Sequence, residues 1–315
     1  MRIDARGNSA ESQLTQPSRG VRGWHWLVVV AMWLAASGSS CPRVLHQYTQ
    51  PIPRALPPSA PLSQVIDVVN ANSAKVQSLS TPRATITMAG FPSLSADIAF
   101  KKPRSLRVVA QKFGPQLDLG SNDELLWFWV RQSEPPALFF CRHEQYGASA
   151  ARQIIPVEPT WLIEAFGVVM FDTTQGIEGP FPVGNGRLEV RTKSSTAGPG
   201  TSRITIIDDS RGVVLEDHIY DAKGARLASS IMSKHVRDAA TDVILPRHLE
   251  ISWPTTKLNL SVDLPDLQIN QVSNDPQRFI KPVYSGYNEI DLANPPGPLV
   301  PNAFGPANAP ATARY

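Results

Sequence analysis

Two short stretches of the chain bring together side chains that could do chemistry. In "CRHEQ", Cys141, His143 and Glu144 lie within four residues. A zinc site needs three or four protein ligands, and the thiol and imidazole on one strand face supply only two, so we interpret this stretch as a strand-end thiol with a surface histidine. In "IIDDSRG", Asp208 and Asp209 are adjacent. Paired carboxylates serve acid–base catalysis, but Asp-Asp-Ser-Arg-Gly between two strands is typical of a β-turn.

The rest of the sequence offers no fuller catalytic pattern. The 6 histidines are scattered, and neither a Gly-x-Ser-x-Gly elbow nor a phosphate-binding glycine loop occurs. "GNGR" at Gly184 is typical of a hairpin turn. We therefore predict that the chain is not an enzyme and holds no metal or cofactor; a hydrolase would require a cleft carboxylate or serine with a base beside it.

Composition also limits the classes of partner. The net charge of +3 is close to neutral for 315 residues. No basic helix or basic patch with interleaved aromatic residues accompanies it, so we predict no nucleic-acid partner. The apolar share of 42% is enough for a sizeable hydrophobic core.

The N-terminal residues have the order of an export signal. Two arginines precede an apolar run from Trp26 to Ala36, and small residues follow it. A membrane-spanning helix needs about twenty apolar residues, and this run is shorter. Residues 1–40 are therefore predicted to be a signal peptide, with a transmembrane anchor and a buried core helix as the alternatives.

Cys41 directly follows these small residues. Gly-Ser-Ser-Cys resembles the bacterial lipobox, in which the cysteine thiol is acylated, although Gly38 stands where leucine is commonest. Lipidation of Cys41 would anchor the protein to a membrane and leave Cys141 without a disulfide partner. The alternatives are an ordinary exported protein cleaved nearby and a Cys41–Cys141 bridge.

Proline-rich flanks surround a predicted folded body. Residues 41–61 are predicted to hold the lipidated cysteine and a semi-rigid linker, residues 62–292 the folded domain, and residues 293–315 a disordered tail. The apolar spacing after the linker predicts a helix from Ser63 to Val76, with Ser63 as its cap.

The body itself has the texture of an antiparallel β protein. About a dozen short segments rich in β-branched and aromatic residues alternate with turn residues. One further helix is predicted to begin at Pro159. A sheet of this size must curl, and its inner face then needs an apolar cover. The predicted fold class is therefore mainly β (α+β), with a single curved antiparallel sheet that forms a half-open barrel and helices that cover its inner face.

Aromatic residues are dense in the middle of the chain. "LLWFWV" and "LFFC" carry large apolar side chains on both strand faces, more than one buried face requires. One face is predicted to cover the core while the other lines a ligand cavity; the alternative is a sheet covered on both sides by helix and loop. The cavity candidates are Trp127, Trp129, Phe139, Trp161, Phe166 and Met170.

The order of segments from residue 62 to about 131 resembles a known family. A helix is followed by strands, a Pro-x-x-Leu-Arg stretch and a "DLGSNDELLWFW" hairpin. The matching residues are Pro103, Leu106, Arg107, Asp118, Asn122, Trp127 and Trp129. Over this region the chain is similar to the bacterial periplasmic lipoprotein carriers and outer-membrane lipoprotein receptors, the Lol localisation-factor (LolA/LolB-like) family.

The resemblance implies a half-open antiparallel barrel under helices, with an apolar cavity that takes acyl chains such as palmitate. The receptor branch is itself a lipoprotein, which agrees with Cys41, and it carries an exposed hydrophobic loop early in the barrel. "GFPSL", with Phe91 and Leu94, could be that loop, or it could be a normal turn with Phe91 folded inward. The half of the chain from Asp172 onward is longer than in the carriers.

Taken together, these observations predict an envelope lipoprotein that binds acyl chains of lipoproteins or lipids for transport or insertion into a membrane. The alternative is a structural or interaction lipoprotein whose barrel is filled by its own side chains. We expect a monomer, lipid-anchored through Cys41, that faces the periplasm from the outer rather than the inner membrane.

Overall fold

The computed structural model describes residues 51–194, 200–273 and 275–297. The predicted signal peptide, the lipidation site Cys41 and most of the predicted tail lie outside these residues. None of the described helices is long and apolar enough to cross a membrane.

Three α-helices and three short 3₁₀ helices are present among the described residues. The α-helices are α1 (Leu62–Ala74), α2 (Ala151–Ile154) and α3 (Pro159–Glu164). The 3₁₀ helices span His143–Ala148, Pro254–Thr256 and Pro276–Phe279. Pro159 begins α3 as the sequence predicts, because its fixed φ and missing N–H suit the first helical position. The predicted cap of α1 is wrong, since Pro61 precedes the helix and no side chain caps it.

Strands form most of the described structure. They are β1 (Ser78–Met88), β2 (Leu94–Lys101), β3 (Ser105–Gln111), β4 (Pro115–Ser121), β5 (Leu125–Val130), β6 (Ala137–Arg142), β7 (Ile177–Gly184), β8 (Arg187–Ser194), β9 (Thr201–Asp208), β10 (Val214–Tyr220), β11 (Arg226–Ser233), β12 (Val236–Arg237), β13 (Ile244–Leu245), β14 (His248–Trp253), β15 (Leu258–Asp263), β16 (Gln268–Ile269) and β17 (Asn288–Asp291).

A single curved sheet contains 15 of these strands, in the order β17-β6-β5-β4-β3-β2-β1-β15-β14-β11-β10-β9-β8-β7, with β16 paired to β1. The strands pair antiparallel except for β17, which runs parallel to β6. Within the described residues β7 and β17 stay unpaired with each other, so the sheet is an open, half-closed barrel. The predicted fold class is confirmed.

The two faces of the sheet have different coverings. We call the face that packs against α1 and α3 the inner face, and the opposite one the outer face. Val65 and Val69 of α1 and Trp161 of α3 belong to one hydrophobic core together with inner-face residues of nearly every strand. Full burial of one aliphatic or Phe side chain contributes about 1.5–3 kcal/mol, so this core is the main source of stability.

The predicted linker ends earlier than residue 61. Leu56 and Ala60 are buried in the same core, and the backbone N–H groups of Ala55 and Leu56 both donate to the carbonyl of Ser210. Burial of these apolar side chains is favourable and holds this part of the backbone against the sheet. The folded body therefore begins several residues before α1.

The C-terminal residues cross the outer face of β2 to β6. We call residues 275–287 the belt. Arg278 of the belt forms an ion pair with Asp97 of β2, at 2.8 Å, and Asn122 donates to the carbonyl of Phe279 at 3.2 Å. After the belt, β17 joins the sheet edge beside β6. One end of the sheet is consequently covered on both sides.

Candidate functional site

The six predicted cavity residues do not lie together. Phe139 of β6, Trp161 of α3 and Phe166 belong to the inner core. Trp127 and Trp129 of β5 form a separate cluster with Leu138 on the outer face.

Strand register explains this division and corrects the prediction of one shared cavity. Phe128 pairs with Phe139, and their rings stack on the inner side at 4.9 Å between centroids. The odd-numbered neighbours of Phe128 must then point outward. Met170, the sixth candidate, is 41% exposed and lies in neither cluster.

Trp127 is part of a buried polar cluster on the outer face. Its indole N–H donates to Asp118 Oδ1 at 3.3 Å, and Arg107 Nη2 donates to Asp118 Oδ2 at 2.7 Å. Asp118 is fully buried. A buried carboxylate is costly unless it is paired and hydrogen-bonded, and this cluster meets that condition.

Gly120 has a packing role in the same cluster. It stands opposite Trp127 across β4 and β5, and a Cβ at this position would lie 2.2 Å from the Trp127 ring. Only glycine allows the indole to lie flat against the β4 backbone, close enough to reach Asp118. The family-like "DLGS" stretch is thus explained by packing beneath the belt.

Trp129 packs directly against the belt. Its ring stacks on Tyr284 with 4.1 Å between centroids, and Tyr287 packs edge-on at 5.2 Å. Tyr284 also donates its hydroxyl to Asp118, and burial, aided by that hydrogen bond, raises the pKa of the Tyr284 phenol. The motif residues on the outer face therefore hold the C-terminal segment in place.

A second buried polar cluster lies on the inner face. Asp217 of β10 is fully buried. It accepts hydrogen bonds from Arg203 Nε at 2.6 Å and Nη2 at 2.9 Å, from Thr205 Oγ1 at 3.1 Å and from Trp161 Nε1 at 2.7 Å. The remaining Arg203 nitrogen, Nη1, donates to Glu164 Oε2 at 2.8 Å. We call these five residues the inner charge cluster.

The electrostatics of the inner charge cluster follow from its burial. Burial raises the pKa of the Glu164 carboxyl, and the adjacent Arg203 only partly opposes this. Burial also disfavours the Arg203 charge, but the carboxylates of Asp217 and Glu164 outweigh it and raise the pKa of Arg203. The guanidinium is therefore a permanent cation inside an otherwise apolar face.

The inner charge cluster connects the sheet to the segment above it. We call residues 149–172, which include α2 and α3, the cover. Ser230 of β11 donates its hydroxyl to the carbonyl of Ala165 at 2.9 Å. At the far end of the cover, the Asn70 amide both accepts from Phe171 N–H and donates to its carbonyl. The cover is thus held by apolar packing and a small number of polar contacts.

Aromatic side chains of the described residues pack together beneath the cover. Phe100 of β2 packs on Phe166 with 5.9 Å between ring centroids, and Trp253 of β14 lies edge-on to Trp161 at 6.5 Å. A void of about 10 Å³ remains beside Val69 of α1, which is room for about one water molecule. A ligand would have to displace part of the cover to reach the inner face.

The exposed aromatic residue near the start of the sheet lies in the β3–β4 hairpin, and the sequence predicted it in the β1–β2 hairpin. Phe91 and Leu94, between β1 and β2, are half-buried, and Leu94 packs against the core. Phe113, between β3 and β4, is 97% exposed and has a left-handed φ of 51°. The prediction of Phe91 and Leu94 as the exposed pair is therefore corrected to Phe113.

The two stretches with possible chemistry have structural partners. The Cys141 thiol is buried and lies 3.3 Å from Ser149 Oγ, while His143 Nε2 lies 2.8 Å from the carbonyl of Asn122. Asp208 Oδ1 accepts N–H bonds in the turn between β9 and β10, which confirms the turn prediction. Within the described ranges, no group of three or more His, Cys, Asp or Glu residues could hold a metal ion.

Sequence reasoning missed Arg203, Asp217 and Glu164. The signal lay in β9, where Thr201, Arg203 and Thr205 share one strand face with the buried Ile207. A charged residue in phase with buried neighbours indicates an inward-facing ion pair.

Comparison with known proteins finds structural likeness only. No family model matches the chain, and no curated protein matches it. The fold is similar to the crystal structure of a DUF1329 family protein from Desulfovibrio piger, with 12% identity, 68% of this chain and 95% of that chain covered, and a TM-score of 0.46.

Two further solved structures carry names of the family that the sequence resembles. A putative outer membrane lipoprotein-sorting protein domain from Vibrio parahaemolyticus has 10% identity, covers 67% of this chain and 94% of its own, and has a TM-score of 0.42. A LolA superfamily protein from Nitrosomonas europaea has 8% identity, covers 69% and 97%, and has a TM-score of 0.43.

Proposed function

We propose that this chain is a bacterial envelope protein that binds acyl chains between its cover and the inner face and exchanges them with a membrane. Its work is binding and release, with no covalent step. Cys41 would anchor the protein as a lipoprotein that faces the periplasm, from the outer rather than the inner membrane, as a monomer.

The observation that carries the proposal is the construction of the inner face. It is an extended apolar surface contributed by nearly every strand, and α2 and α3 of the cover contain only 4 and 6 residues. Helices this short are not stable by themselves, so their position depends on packing against the sheet. An acyl chain would bury the same apolar surface of the inner face that the cover buries. The free energies of the two contacts are therefore similar, and a ligand can replace the cover on the inner face.

The exposed tip of the β3–β4 hairpin supports the membrane part of the proposal. Phe113 is 97% exposed, and Lys112 precedes it while Arg131 lies near the adjacent Gly114, with Nη1 3.7 Å from the position of a Cβ there. An aromatic side chain between two cations suits the interface of an anionic membrane.

A second candidate function is an interaction module whose interior is filled by its own side chains. Phe100, Phe128 and Trp161 are each at most 2% exposed, and this filling favours it. Partners would then bind the rim or the outer face. The two functions differ in whether the protein takes up an amphiphile.

Uptake of hexadecanoic acid by the purified full chain, measured by equilibrium binding alongside mass spectrometry of extracted lipid, separates the two. Acyl binding predicts uptake that Phe166→Asp abolishes, because this change puts a charge beneath the cover. Phe181→Asp, at an exposed position, is the matched control and should bind normally. A folded protein that yields no lipid and takes up no hexadecanoic acid would instead favour the interaction module.

A further inference from the structure

Arg203 of β9 lies on the inner face, with its side chain 4% exposed. Its donors are divided between two carboxylates: Nε and Nη2 donate to Asp217, and Nη1 donates to Glu164. This fork geometry is the one that guanidinium groups use to bind carboxylates and phosphates.

The two carboxylates belong to different parts of the molecule. Asp217 is on β10, next to β9, which carries Arg203, so this pair is fixed within the sheet. Glu164 is the last residue of α3 in the cover. A displacement of α3 that admits a ligand therefore removes Glu164 from Arg203 and Trp161 from Asp217, and leaves the Arg203–Asp217 pair in place.

Removal of Glu164 changes the charge of the inner face. With the cover closed, Arg203 is bonded to both Asp217 and Glu164. Burial lowers the pKa of the nearby Lys102 ammonium, and the negative charge of Glu164 partly opposes this. With the cover open, Arg203 keeps its bonds to Asp217, but Nη1 loses its charged acceptor, and the inner face has one negative charge fewer. A guanidinium N–H without an acceptor on an apolar surface is costly, so the open state favours a ligand that brings a negatively charged acceptor.

We infer that Arg203 Nη1 is the binding site for an anionic head group, which takes the place of Glu164 when an acyl ligand enters. The inference rests on the acyl-binding function proposed above and narrows its ligand class. The ligand is an amphiphile with an acyl chain and a carboxylate or phosphate, as in a fatty acid or an anionic lipid. Neutral ester-linked acyl groups bring no negative charge to replace that of Glu164 at Nη1.

Trp253 of β14, which packs on Trp161, has a buried indole N–H without an acceptor in the part of the chain that the structure describes. Trp253 is 7% exposed, and its buried indole N–H has no hydrogen-bond partner among the described residues. Its ring lies against Trp161, which is bound to Asp217. A buried N–H without an acceptor is costly, so a ligand oxygen that reaches Trp253 would be stabilised by this N–H.

The test compares three probes that share a 16-carbon chain: hexadecanoic acid, hexadecyl phosphate and neutral hexadecanol. Each is titrated into the purified full chain and into Glu164→Gln, which removes the competing charge and keeps the side-chain shape. Glu158→Gln, also in the cover but without a bond to Arg203, is the matched control. Thermal unfolding confirms that each variant folds.

The inference predicts that Glu164→Gln tightens binding of an anionic probe about tenfold, the range expected when a charged competitor for one hydrogen bond is removed. Hexadecanol binding should stay unchanged, and Glu158→Gln should resemble the wild-type chain. A gain for hexadecanoic acid alone identifies a carboxylate ligand, and a gain for hexadecyl phosphate alone identifies a phosphate ligand.

Two results overturn the inference in distinguishable ways. If all three probes bind and Glu164→Gln changes none of them selectively, the acyl-binding function stands and Arg203 is not a head-group site. If no probe binds to any folded variant, the acyl-binding function is wrong and the inference is wrong with it.

Discussion

The Tyr284 hydroxyl donates to the Asp118 carboxylate at 2.8 Å, across 166 residues of sequence. This bond joins the belt to the centre of β4. Asp118 is fully buried and also accepts from Arg107 and Trp127. We call Asp118 and its three hydrogen-bond donors the clamp, because together they hold the belt against the first half of the sheet.

Loss of the Tyr284 hydroxyl should weaken this clamp. Tyr284→Phe keeps the stacking on Trp129 and removes one hydrogen bond to a buried carboxylate, so the free energy of unfolding should fall by about 1.5–3 kcal/mol. Urea denaturation measures this. Tyr287→Phe removes a bond to the exposed carbonyl of Arg131 and should cost about 1 kcal/mol or less. Equal effects of the two changes would contradict the role assigned to Asp118.

The close packing of Trp127 on β4 predicts a severe effect of a single methyl group. Gly120→Ala places a Cβ 2.2 Å from the Trp127 ring, so the indole must move and lose its bond to Asp118. We expect a loss of about 3 kcal/mol or more, because overpacking and a broken buried bond add. Gly147→Ala, where a Cβ would meet nothing within 4 Å, is the control and should be close to neutral. An unchanged unfolding midpoint for Gly120→Ala would contradict this packing.

Membrane contact should occur at the β3–β4 hairpin. A polarity-sensitive dye attached to Phe113→Cys should shift to shorter emission wavelength with vesicles that contain anionic lipid, because the tip enters the apolar interface. The shift should diminish in high salt, since Lys112 contributes electrostatic attraction. The same dye at Phe91→Cys is the control and should respond weakly. A stronger response at position 91 would place the contact at the first hairpin instead.

The raised pKa of Glu164 predicts a particular dependence of stability on pH. Burial favours the protonated carboxyl in the folded state, so the contribution of this group is greatest at low pH. It decreases as pH rises from the ordinary value of 4.5 through the folded-state pKa. Glu164→Gln lacks this titration and should therefore gain stability relative to the wild-type chain as pH rises. Thermal unfolding of both proteins between pH 4 and pH 8 measures the stability of the variant relative to the wild-type chain. A relative stability of Glu164→Gln that falls with rising pH would refute the raised pKa of Glu164.

Much of the fold could be predicted from the sequence because period-2 segments and turn residues carry strong local signals. The segments of β2 and β3 alternate in polarity, and Pro159 marks a helix start directly. The faces of "LLWFWV" could not be assigned, because every residue in it is large and apolar and neither phase is favoured.

The candidate site was less accessible to sequence reasoning. The sequence of the belt shows no regular spacing of apolar residues. Residues 275–287 are held instead by individual contacts to distant strands. Nothing in its composition indicates that it covers Trp127 and Trp129. Conversely, Arg203 and Asp217 lie on one inner face through strand pairing, a relationship that requires the register of β9 and β10.

The most direct test of acyl binding beneath the cover is quenching of tryptophan fluorescence by hexadecanoic acid brominated in mid-chain. Trp253 on the inner face and Trp129 on the outer face both have buried indole N–H groups without partners in the described structure. Replacing either residue by Phe therefore removes no hydrogen bond. The account predicts that the full chain is quenched, that Trp253→Phe loses a measurable share of the quenching, and that Trp129→Phe loses none. Absence of quenching, or its loss only in Trp129→Phe, would contradict a ligand site on the inner face.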